Sequence, residues 1–530
     1  MRELKDHGIS PQESVYWNSA PAFLAEETIR RGMATLSDVG ALVVDTTPYT
    51  GRSPDDRFIV REEETEKKVW WGEINKPFEP DDFDALQKKV AGHLSQQRLY
   101  VQDVFCGASK EHALPVRVVS ESPWHGIFAR NMFIEQERLL GKELSPSEFE
   151  PGFTVLHAPS LEADPEEDQT RSEAFVVISF SRRMVIIGGT SYGGEIKKSI
   201  FTAMNFLMPE EGVFPMHCSC NVNEDRENAA VFFGLSATGK TTLSTDPDRP
   251  MIGDDEHGWG EEGIFNFEGG SYAKVIRLSE EEEPLIYKAT NQFATIIENA
   301  IIDEESRKVD FDDGSKTENT RSSYPLSYLG NTIQEGTAGH PKHIVFLSAD
   351  AFSVLPPIAR LSPEQAMYFF LSGYTAKVAG TERGIDEPEA AFSPGFGAPF
   401  LPRAPLFYAE MLRERIEKYE PSVWMINTGW TGGEYGTGER IDLKHTRRML
   451  SAALNGELDE VEFRKDSALG LEIPVKVPDV PDEILDPRGT WESEEEFEEM
   501  AARVVEMFEE NVEQFKGDAP EEMIEAGPGD

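Results

Sequence analysis

Short apolar runs bounded by polar residues recur along the chain, and their length is that of buried β-strands. Gly, Pro, Asp and Asn flank the runs and favour turns at both ends. The predicted strands cover residues 41–45, 174–180, 183–189, 229–234, 343–347 and 423–427. A short turn separates the second strand from the third, so we expect these two to pair with each other.

Helical spacing of apolar residues occurs at residues 195–207 and again at residues 494–515. Residues 161–172 are polar and acidic, which predicts a surface loop, and the Pro-rich residues 473–487 predict a surface crossing before the last helix. Since strands and helices alternate, the pattern predicts an α/β fold whose sheets are mixed rather than purely parallel.

The chain has 530 residues, which is more than one ordinary hydrophobic core accommodates. We therefore expect two lobes around a deep cleft, with a boundary near residues 209–213.

The charge balance is strongly acidic, with 97 Asp and Glu against 51 Lys and Arg and a formal net charge of −46. A field of this sign repels nucleic acids and anionic lipids, so we expect neither as a partner. The acidic residues are dispersed along the chain, which leaves two interpretations open. The surface is adapted to high salt, where screening relieves the self-repulsion, or the protein is simply acidic.

Three cysteines, Cys106, Cys218 and Cys220, form no recognisable disulfide framework. A small, odd number of cysteines is typical of a reducing compartment. The first residues contain no apolar core of a secretory signal, and no run approaches the roughly 20 apolar residues of a spanning helix. The sequence therefore predicts a cytoplasmic location.

A phosphate-binding loop pattern, G-x-x-x-x-G-K-[ST], follows the predicted strand at residues 229–234. Its glycines allow backbone N–H groups to approach phosphate oxygens. Lys240 would neutralise the β- and γ-phosphates, and the Thr241 hydroxyl would bind a magnesium ion between them. The nucleotide-binding residues of this loop are Gly234, Leu235, Ser236, Ala237, Thr238, Gly239, Lys240, Thr241 and Thr242.

Two adjacent acids, Asp254 and Asp255, follow the loop closely, only fourteen and fifteen residues after Lys240. Carboxylates at the end of a short apolar strand beside a phosphate loop are candidate metal ligands. In a chain this acidic, a solvated turn is the alternative.

Three further groups of residues have both a functional and an ordinary interpretation. Lys197 and Lys198 follow Tyr192 and two glycines, although adjacent lysines are usually solvated. His217 heads a His-Cys-Ser-Cys string that resembles half a zinc site without its second half, so it is a single ligand or a core histidine. Arg52 and Arg321 lie on turns suited to gripping carboxylate or phosphate, but isolated arginines are usually surface residues.

Together these motifs resemble the ATP-dependent phosphoenolpyruvate carboxykinase family almost from end to end. The GTP-dependent class carries a cysteine in its phosphate loop, whereas this chain has Ser236 and Ala237, as is usual for the ATP class. The segments that carry the resemblance are residues 15–18, 50–54, 188–198, 216–217, 234–242, 253–259, 265–274, 311–321, 355–357, 381–384 and 485–488.

The resemblance implies conversion of oxaloacetate and ATP to phosphoenolpyruvate, ADP and carbon dioxide, in gluconeogenesis. Arg52 would grip a substrate carboxylate, with Tyr192 beside it against the substrate or the departing carbon dioxide. Lys197 would lie next to the reacting phosphate, and Lys198 would also contact the substrate. Arg321 would bridge the enolate oxygen and the γ-phosphate.

The resemblance also implies two metal ions. Lys198, His217 and Asp255 would bind Mn²⁺, and Thr241 would bind the Mg²⁺ that accompanies ATP. A lysine binds a metal ion only as the neutral amine, which makes Lys198 an unusual ligand.

At the nucleotide, the resemblance places Lys274 and Glu283 along the binding site, together with Arg321. Arg440, Ile441 and Thr446 would contact adenine and ribose. Residues 1–212 would then form a substrate-side domain and residues 213–530 a mononucleotide-binding domain. A monomer or small homo-oligomer is expected.

The chain departs from the usual family pattern at Ala237, where glycine is common, and at Ser191, where a larger residue is common. We expect Ala237 to tune nucleotide binding, and the effect of Ser191 is open. Because water must be excluded from the reaction, residues 380–397 are a candidate lid. Two alternatives remain from the motifs alone: another P-loop kinase or ATPase, and a nucleotide sensor without catalysis.

Overall fold

A computed structural model gives the conformation of the chain and describes residues 4–235, 238–377 and 389–528. The chain divides into two compact units. Unit 1 comprises Met1–Pro215, Glu256–Gly258 and Phe265–Thr337, and unit 2 comprises Met216–Asp255, Trp259–Ile264 and Ala338–Asp530. Ser236 and Ala237 of the phosphate loop and residues 380–388 of the candidate lid lie outside the described residues.

The first part of the chain, up to residue 213, alternates strands and helices. In chain order its elements are β1 (Val15–Trp17), α1 (Pro21–Arg30), β2 (Ala34–Leu36), β3 (Leu42–Val44), β4 (Arg57–Val60), α2 (Glu63–Glu66), β5 (Lys76–Phe78), α3 (Pro80–Ser95), β6 (Leu99–Cys106), β7 (Leu114–Ser120), α4 (Pro123–Met132), β8 (Ile134–Glu135), α5 (Gln136–Leu140), β9 (Phe153–Ala158), α6 (Pro165–Asp168), β10 (Phe175–Ser179), β11 (Met184–Gly188) and α7 (Gly194–Leu207).

The middle of the chain, residues 214–338, is rich in short strands. Its elements are β12 (Phe214–Met216), β13 (Cys218–Val222), β14 (Ala229–Gly234), α8 (Lys240–Ser244), β15 (Met251–Gly253), β16 (His257–Gly260), β17 (Gly263–Asn266), β18 (Gly270–Lys274), α9 (Pro284–Thr290), β19 (Ile296–Glu298), β20 (Ile301–Ile302), β21 (Val309–Asp310), β22 (Arg321–Pro325) and β23 (Thr337–Ala338).

The last part of the chain contains the longest helix of the described residues. Its elements are β24 (Pro341–Ser348), β25 (Ile358–Leu361), α10 (Pro363–Ser372), β26 (Tyr374–Lys377), β27 (Glu389–Phe392), α11 (Pro405–Tyr419), β28 (Ser422–Asn427), β29 (Trp430–Thr431), β30 (Glu439–Arg440), α12 (Leu443–Leu454), β31 (Phe463–Lys465), β32 (Glu472–Pro474), α13 (Pro487–Thr490), α14 (Glu494–Val512) and α15 (Glu521–Glu525). Short 3-10 helices lie at Leu4–His7, Pro54–Asp56, Met208–Glu211, Leu326–Leu329, Pro394–Phe396, Ala398–Phe400, Asp482–Leu485 and Glu513–Phe515.

Unit 1 is built on two sheets. The larger has the strand order β1-β6-β7-β9-β11-β10-β4-β5, with β8 beside β6, and it mixes parallel and antiparallel pairs. Helix α3 packs Phe83, Leu86, Val90 and Leu94 into its core, and their three- and four-residue spacing explains why this segment is an amphipathic helix. The second sheet has the order β18-β22-β19-β3-β2.

Unit 2 is built on a mixed sheet of order β15-β13-β14-β24-β28-β25-β32-β31. Strands β14, β24 and β28 are parallel neighbours at its centre, and the outer pairs are antiparallel. Helix α12 packs Met449, Leu450 and Ala453 against Phe232 and Val345 of these central strands. The prediction of an α/β class with mixed sheets is therefore confirmed.

The predicted strands all form, and β10 and β11 pair antiparallel as expected. Two local predictions need correction. The helix predicted at residues 494–515 is α-helical only to Val512 and continues as a 3-10 turn, and the predicted loop at residues 161–172 contains the short helix α6. Asp164 caps α6 by accepting hydrogen bonds from the backbone N–H groups of Glu166 and Glu167, which stabilises a helix in a polar segment.

The compact units do not follow a single boundary between residues 212 and 213. The chain first leaves unit 1 after Pro215, and residues 265–337 return to it. The reason is that β19 pairs in parallel with β3, which joins the middle of the chain to its N-terminal part in one sheet. Across the described ranges, no helix is both long and apolar enough to cross a membrane.

Candidate active site

Lys197 and Lys198 lie in the first turns of α7, which is buried along most of its length. The Lys197 side chain is 3% exposed, and its Nζ lies 2.9 Å from Glu268 Oε1 and 3.7 Å from Glu256 Oε1. Lys198 Nζ lies 2.7 Å from Glu256 Oε1. A lysine this deeply buried needs such a partner. These carboxylates stabilise both lysines as ammonium ions, whereas the proposed metal ligation by Lys198 requires the neutral amine.

Arg52 lies on the turn before β4, and this turn is attached to the start of α7. The backbone N–H of Ser53 donates to Glu195 Oε1 at 2.7 Å. Burial raises the pKa of Glu195, while the neighbouring positive charge of Arg52 acts in the opposite direction. The buried carboxylate therefore fixes the backbone next to Arg52 and attracts its guanidinium.

Asn319 connects two predicted site residues, Tyr192 and Arg321, to the turn that carries Arg52, all within unit 1. Its Nδ2 donates to the Thr50 carbonyl at 2.9 Å and to the Tyr192 hydroxyl at 3.3 Å. Its Oδ1 accepts from Arg321 Nε at 2.9 Å. One neutral side chain thus sets the spacing of the turn before Arg52, the phenol of Tyr192 and the guanidinium of Arg321.

Tyr272 lies between the two cationic sides of this group. Its ring centroid is 5.9 Å from Lys197 Nζ and 5.8 Å from the Arg321 guanidinium carbon, and Arg321 also donates to the Tyr272 carbonyl at 3.4 Å. Tyr192 lies 6.0 Å away, ring centroid to ring centroid. We call Arg52, Lys197, Lys198 and Arg321 the cationic cluster. Of these four, Lys197 and Arg321 lie beside the Tyr272 ring, and positive side chains so placed suit a small anion.

Ser191 contributes through its backbone. Its carbonyl accepts a hydrogen bond from His125 Nε2 at 2.7 Å, and His157 Nε2 lies 3.3 Å from the Thr190 carbonyl. Burial lowers the pKa of His157 to about 4, so this imidazole is neutral at physiological pH. The segment before Tyr192 is therefore held by two buried imidazoles.

Unit 2 brings together His217, Lys240 and Asp255. His217 Nε2 lies 3.1 Å from Asp255 Oδ1 and 3.2 Å from Lys240 Nζ, and Lys240 forms an ion pair with Asp255. His217 Nδ1 lies 2.6 Å from the Phe396 carbonyl oxygen, so Nδ1 is the N–H donor of that hydrogen bond. An imidazole oriented by a backbone carbonyl, next to a carboxylate, fits a divalent metal ion.

The cysteines after His217 do not complete a zinc site. Cys218 and Cys220 are buried on β13, and burial raises the pKa of both thiols. A zinc ligand must be a thiolate, so the half-zinc interpretation is not favoured.

The phosphate loop leaves β14 at Gly234 and ends at Gly239, whose φ of 88° is the left-handed conformation that favours glycine. Lys240 and Thr241 then open the short helix α8, and Thr242 follows. Leu235 is half-buried, and Thr238 is fully buried with its carbonyl accepting from Thr428 Oγ1 at 3.0 Å.

Arg440 and Ile441 form hydrogen bonds with Thr428 and Gly429, and Thr428 also contacts the phosphate loop. Arg440 Nε donates to the Thr428 carbonyl at 3.0 Å, and its guanidinium lies 5.6 Å from the Trp430 ring centre. The Ile441 N–H donates to the Gly429 carbonyl at 2.8 Å. Thr446 is buried one turn into α12, so its side chain is less available to a nucleotide than that of exposed Arg440.

The remaining predicted nucleotide residues belong to unit 1. Lys274 is exposed at the end of β18, directly opposite Arg321 on β22, and Glu283 is half-buried before α9. The predicted Mn²⁺ ligands are divided in the same way, with Lys198 in unit 1 and His217 and Asp255 in unit 2.

Comparisons with known proteins agree with the motifs. A family model described as phosphoenolpyruvate carboxykinase matches residues 13–483. "Phosphoenolpyruvate carboxykinase (ATP)" of Thermus thermophilus is 59% identical over 528 residues, covering 100% of this chain and 99% of the relative. The chain belongs to the ATP-dependent phosphoenolpyruvate carboxykinase family. Relatives of the same name from Geobacter sp. and Caldanaerobacter subterraneus are 52% and 51% identical, covering 98% and 100% of this chain and 97% and 100% of the relatives.

Four residues of this carboxykinase site were not predicted from the sequence. Glu256, Glu268 and Asn319 lie inside the motifs at residues 253–259, 265–274 and 311–321, but one acidic residue among 97, or a single amide, carries no functional signal of its own. Tyr272 lies in the same motif as Glu268, and only its contacts with Lys197 and Arg321 reveal its position.

Proposed function

We propose that this chain is an ATP-dependent carboxy-lyase that converts oxaloacetate and ATP to phosphoenolpyruvate, ADP and carbon dioxide. The full-length identity to carboxykinases of this name supports the activity. The observation that carries the chemistry is the cationic cluster of unit 1, held together by Asn319, Tyr272 and paired glutamates. A place in gluconeogenesis and a cytoplasmic location are part of the same proposal.

The first half of the reaction is decarboxylation. Arg52 grips a carboxylate of oxaloacetate, and Tyr192 lies against the substrate and the departing carbon dioxide. Loss of carbon dioxide leaves an electron pair on the enolate of pyruvate. Arg321 stabilises the negative charge that develops on the enolate oxygen. Without such charges close by, the enolate would be too unstable to persist.

The second half is phosphoryl transfer to that oxygen. The enolate oxygen attacks the γ-phosphorus of ATP in line, and ADP leaves. Such transfer depends mainly on positioning and charge neutralisation, which the loop amides, Lys240, Lys197 and Arg321 provide. Lys274, Glu283, Arg440, Ile441 and Thr446 line the nucleotide in this proposal.

Two divalent ions belong to the proposal. His217 and Asp255, together with Lys198, would hold Mn²⁺, and Thr241 would hold the Mg²⁺ of the nucleotide. When bound, the ions supply Lewis-acid stabilisation of negative charge. Lys198 must lose its proton to take this role, and the exchange of its Glu256 partner for a metal ion is part of the proposal.

The predicted domain roles complete the picture. We propose that residues 1–212 act mainly on the substrate and residues 213–530 mainly on the nucleotide, on either side of a cleft. Closure would exclude water, which otherwise protonates the enolate or hydrolyses ATP. Residues 380–397 are proposed as the lid. Supporting this, the carbonyl of Phe396, near the end of that segment, accepts from His217.

A coupled assay tests the function. Purified protein is supplied with oxaloacetate, Mg²⁺ and Mn²⁺, and phosphoenolpyruvate is measured with ATP or with GTP. We expect product with ATP and little with GTP. In Arg52→Gln product formation should fall strongly, while Arg182→Gln, which removes a salt bridge to Glu62 and no contact of the cationic cluster described above, should match the wild type. ATP hydrolysis without phosphoenolpyruvate would instead support a kinase or ATPase.

A further inference from the structure

Glu298 is a buried carboxylate in the middle of the second sheet of unit 1. It ends β19, and its side chain is 0% exposed. In the sheet it stands directly opposite Arg321 on β22 and beside Val44 on β3. Directly opposed residues on neighbouring strands share one face of the sheet, so the carboxylate and the guanidinium of Arg321 are neighbours.

Each oxygen of Glu298 has its own donor. Oε1 accepts the backbone N–H of Gly193 at 2.9 Å, and Oε2 accepts the hydroxyl of Tyr272. Burial raises the pKa of Glu298 to about 7, although these hydrogen bonds and the charge of Arg321 oppose the rise. A carboxylate kept in such a place must have its hydrogen bonds satisfied, and here both donors belong to the site.

The two donors, the Gly193 N–H and the Tyr272 hydroxyl, lie next to residues of the cationic cluster. Gly193 is the residue between Tyr192 and helix α7, which carries Lys197 and Lys198. A side chain at Gly193 would place its Cβ 2.8 Å from the Phe128 ring, so the loop is already tightly packed. The Tyr272 ring is the one that lies between Lys197 and Arg321.

We propose that Glu298 is a positioning residue that ties the Tyr192 loop and the Tyr272 ring to the strand opposite Arg321, and thereby sets the geometry of the oxaloacetate side of the site. It acts through hydrogen bonds and touches no substrate. The inference rests on the proposed function, because it assigns the cationic cluster to oxaloacetate.

Three variants test this role. Glu298→Ala removes both acceptors, Glu298→Gln keeps an oxygen for Gly193, and Tyr272→Phe removes only the hydroxyl donor. We expect kcat/KM for oxaloacetate to fall in the order wild type, Gln, Ala. The Ala variant should lose about 10- to 100-fold, and Tyr272→Phe about tenfold. The KM for ATP should change less than kcat/KM for oxaloacetate, because Lys240 and the loop amides also hold the nucleotide, whereas a general loss of folding would affect both substrates alike.

The chain offers a matched control pair. Glu27 is buried in unit 1, and its Oε2 accepts the hydroxyl of Tyr100 at 3.1 Å. Glu27→Gln and Tyr100→Phe should therefore leave the kinetics unchanged even where they lower the unfolding midpoint.

Several results would overturn the inference. Unchanged oxaloacetate kinetics in folded Tyr272→Phe and Glu298→Gln would do so, even if Glu298→Ala failed to fold. Equal losses of kcat/KM in the Glu27 and Tyr100 controls, or an equal rise in the KM for ATP, would show that Glu298 only stabilises the fold. A wild-type protein that makes no phosphoenolpyruvate would instead refute the proposed function.

Discussion

Replacing Asn319 with alanine is a sharp test of how the cationic cluster is held. The change removes three hydrogen bonds at once: to the Thr50 carbonyl, to the Tyr192 hydroxyl and from Arg321 Nε. It removes few apolar contacts, because the side chain is a half-buried amide. The expected effect is therefore mainly a loss of orientation.

The magnitude follows from the contacts. A hydrogen bond to a charged group contributes about 1.5–3 kcal/mol and a neutral one about 0.5–1.5 kcal/mol. Water can replace part of each contact at a half-buried position, so we expect about 1.4–2.8 kcal/mol to be lost in the transition state. At about 1.4 kcal/mol for each factor of ten, kcat/KM for oxaloacetate should fall about 10- to 100-fold.

The assay is steady-state formation of phosphoenolpyruvate at saturating ATP, with oxaloacetate varied. Asn319→Asp keeps the acceptor for Arg321 but places a carboxylate against the Thr50 carbonyl, so it should not restore activity. Asn291→Ala, which removes a single hydrogen bond to the Tyr287 carbonyl, is the control and should behave as wild type. A wild-type kcat/KM in folded Asn319→Ala would show that the amide does not set the site geometry.

Four further outcomes are expected. Lys198→Met should weaken Mn²⁺ binding and lower turnover while ATP still binds. Calorimetry measures the affinities for Mn²⁺ and ATP, and an unchanged Mn²⁺ affinity would show that Lys198 is not a metal ligand. Glu195→Ala, which frees the backbone beside Arg52, should raise the KM for oxaloacetate about tenfold, and an unaltered KM would contradict the anchoring seen here. The unfolding midpoint should rise with KCl concentration if the −46 net charge reflects a high-salt habitat, and a salt-independent midpoint would reject that interpretation. His157 has a pKa of about 4 when folded and about 6.5 when unfolded, so the unfolded state binds more protons between these values. Stability should therefore fall as the pH drops from about 6.5 to 4, by up to about 3 kcal/mol for this residue. His157→Gln should flatten that part of the plot of unfolding free energy against pH, and an equal slope in the variant would refute the assignment.

Local elements could be predicted because their signals are local. The apolar run that became β14 and the glycine at 239 needed only neighbouring residues to be interpreted, and both have the expected conformation. The same holds for α7, whose buried face repeats at helical spacing.

The long-range organisation could not be predicted in this way. Strand β19 pairs with β3, more than 250 residues earlier in the chain, and the sequence of neither strand identifies the other as its partner. This pairing places residues 265–337 in unit 1 and brings Glu298 opposite Arg321. The role of Asn319 could not be predicted from the sequence either, because it depends on three hydrogen-bond partners that only the fold brings together.

The ion-pair partners of Lys197 and Lys198 could not be predicted from the sequence either. The adjacent lysines were recognised, but their carboxylate partners Glu256 and Glu268 lie 58 and 71 residues later in the chain, among many other acids. Whether Lys198 keeps its ion pair or releases it to a metal ion depends on that arrangement.

The central claim, that decarboxylation and phosphoryl transfer are joined at one site, is tested most directly by following the γ-phosphate. With γ-labelled ATP and oxaloacetate labelled in the C4 carboxyl group, which is the one that leaves, we predict that labelled phosphate enters phosphoenolpyruvate in equal amount to the labelled carbon dioxide released. Both signals should fall together in Arg321→Gln. Release of carbon dioxide with pyruvate as the product, or of inorganic phosphate without phosphoenolpyruvate, would contradict the account.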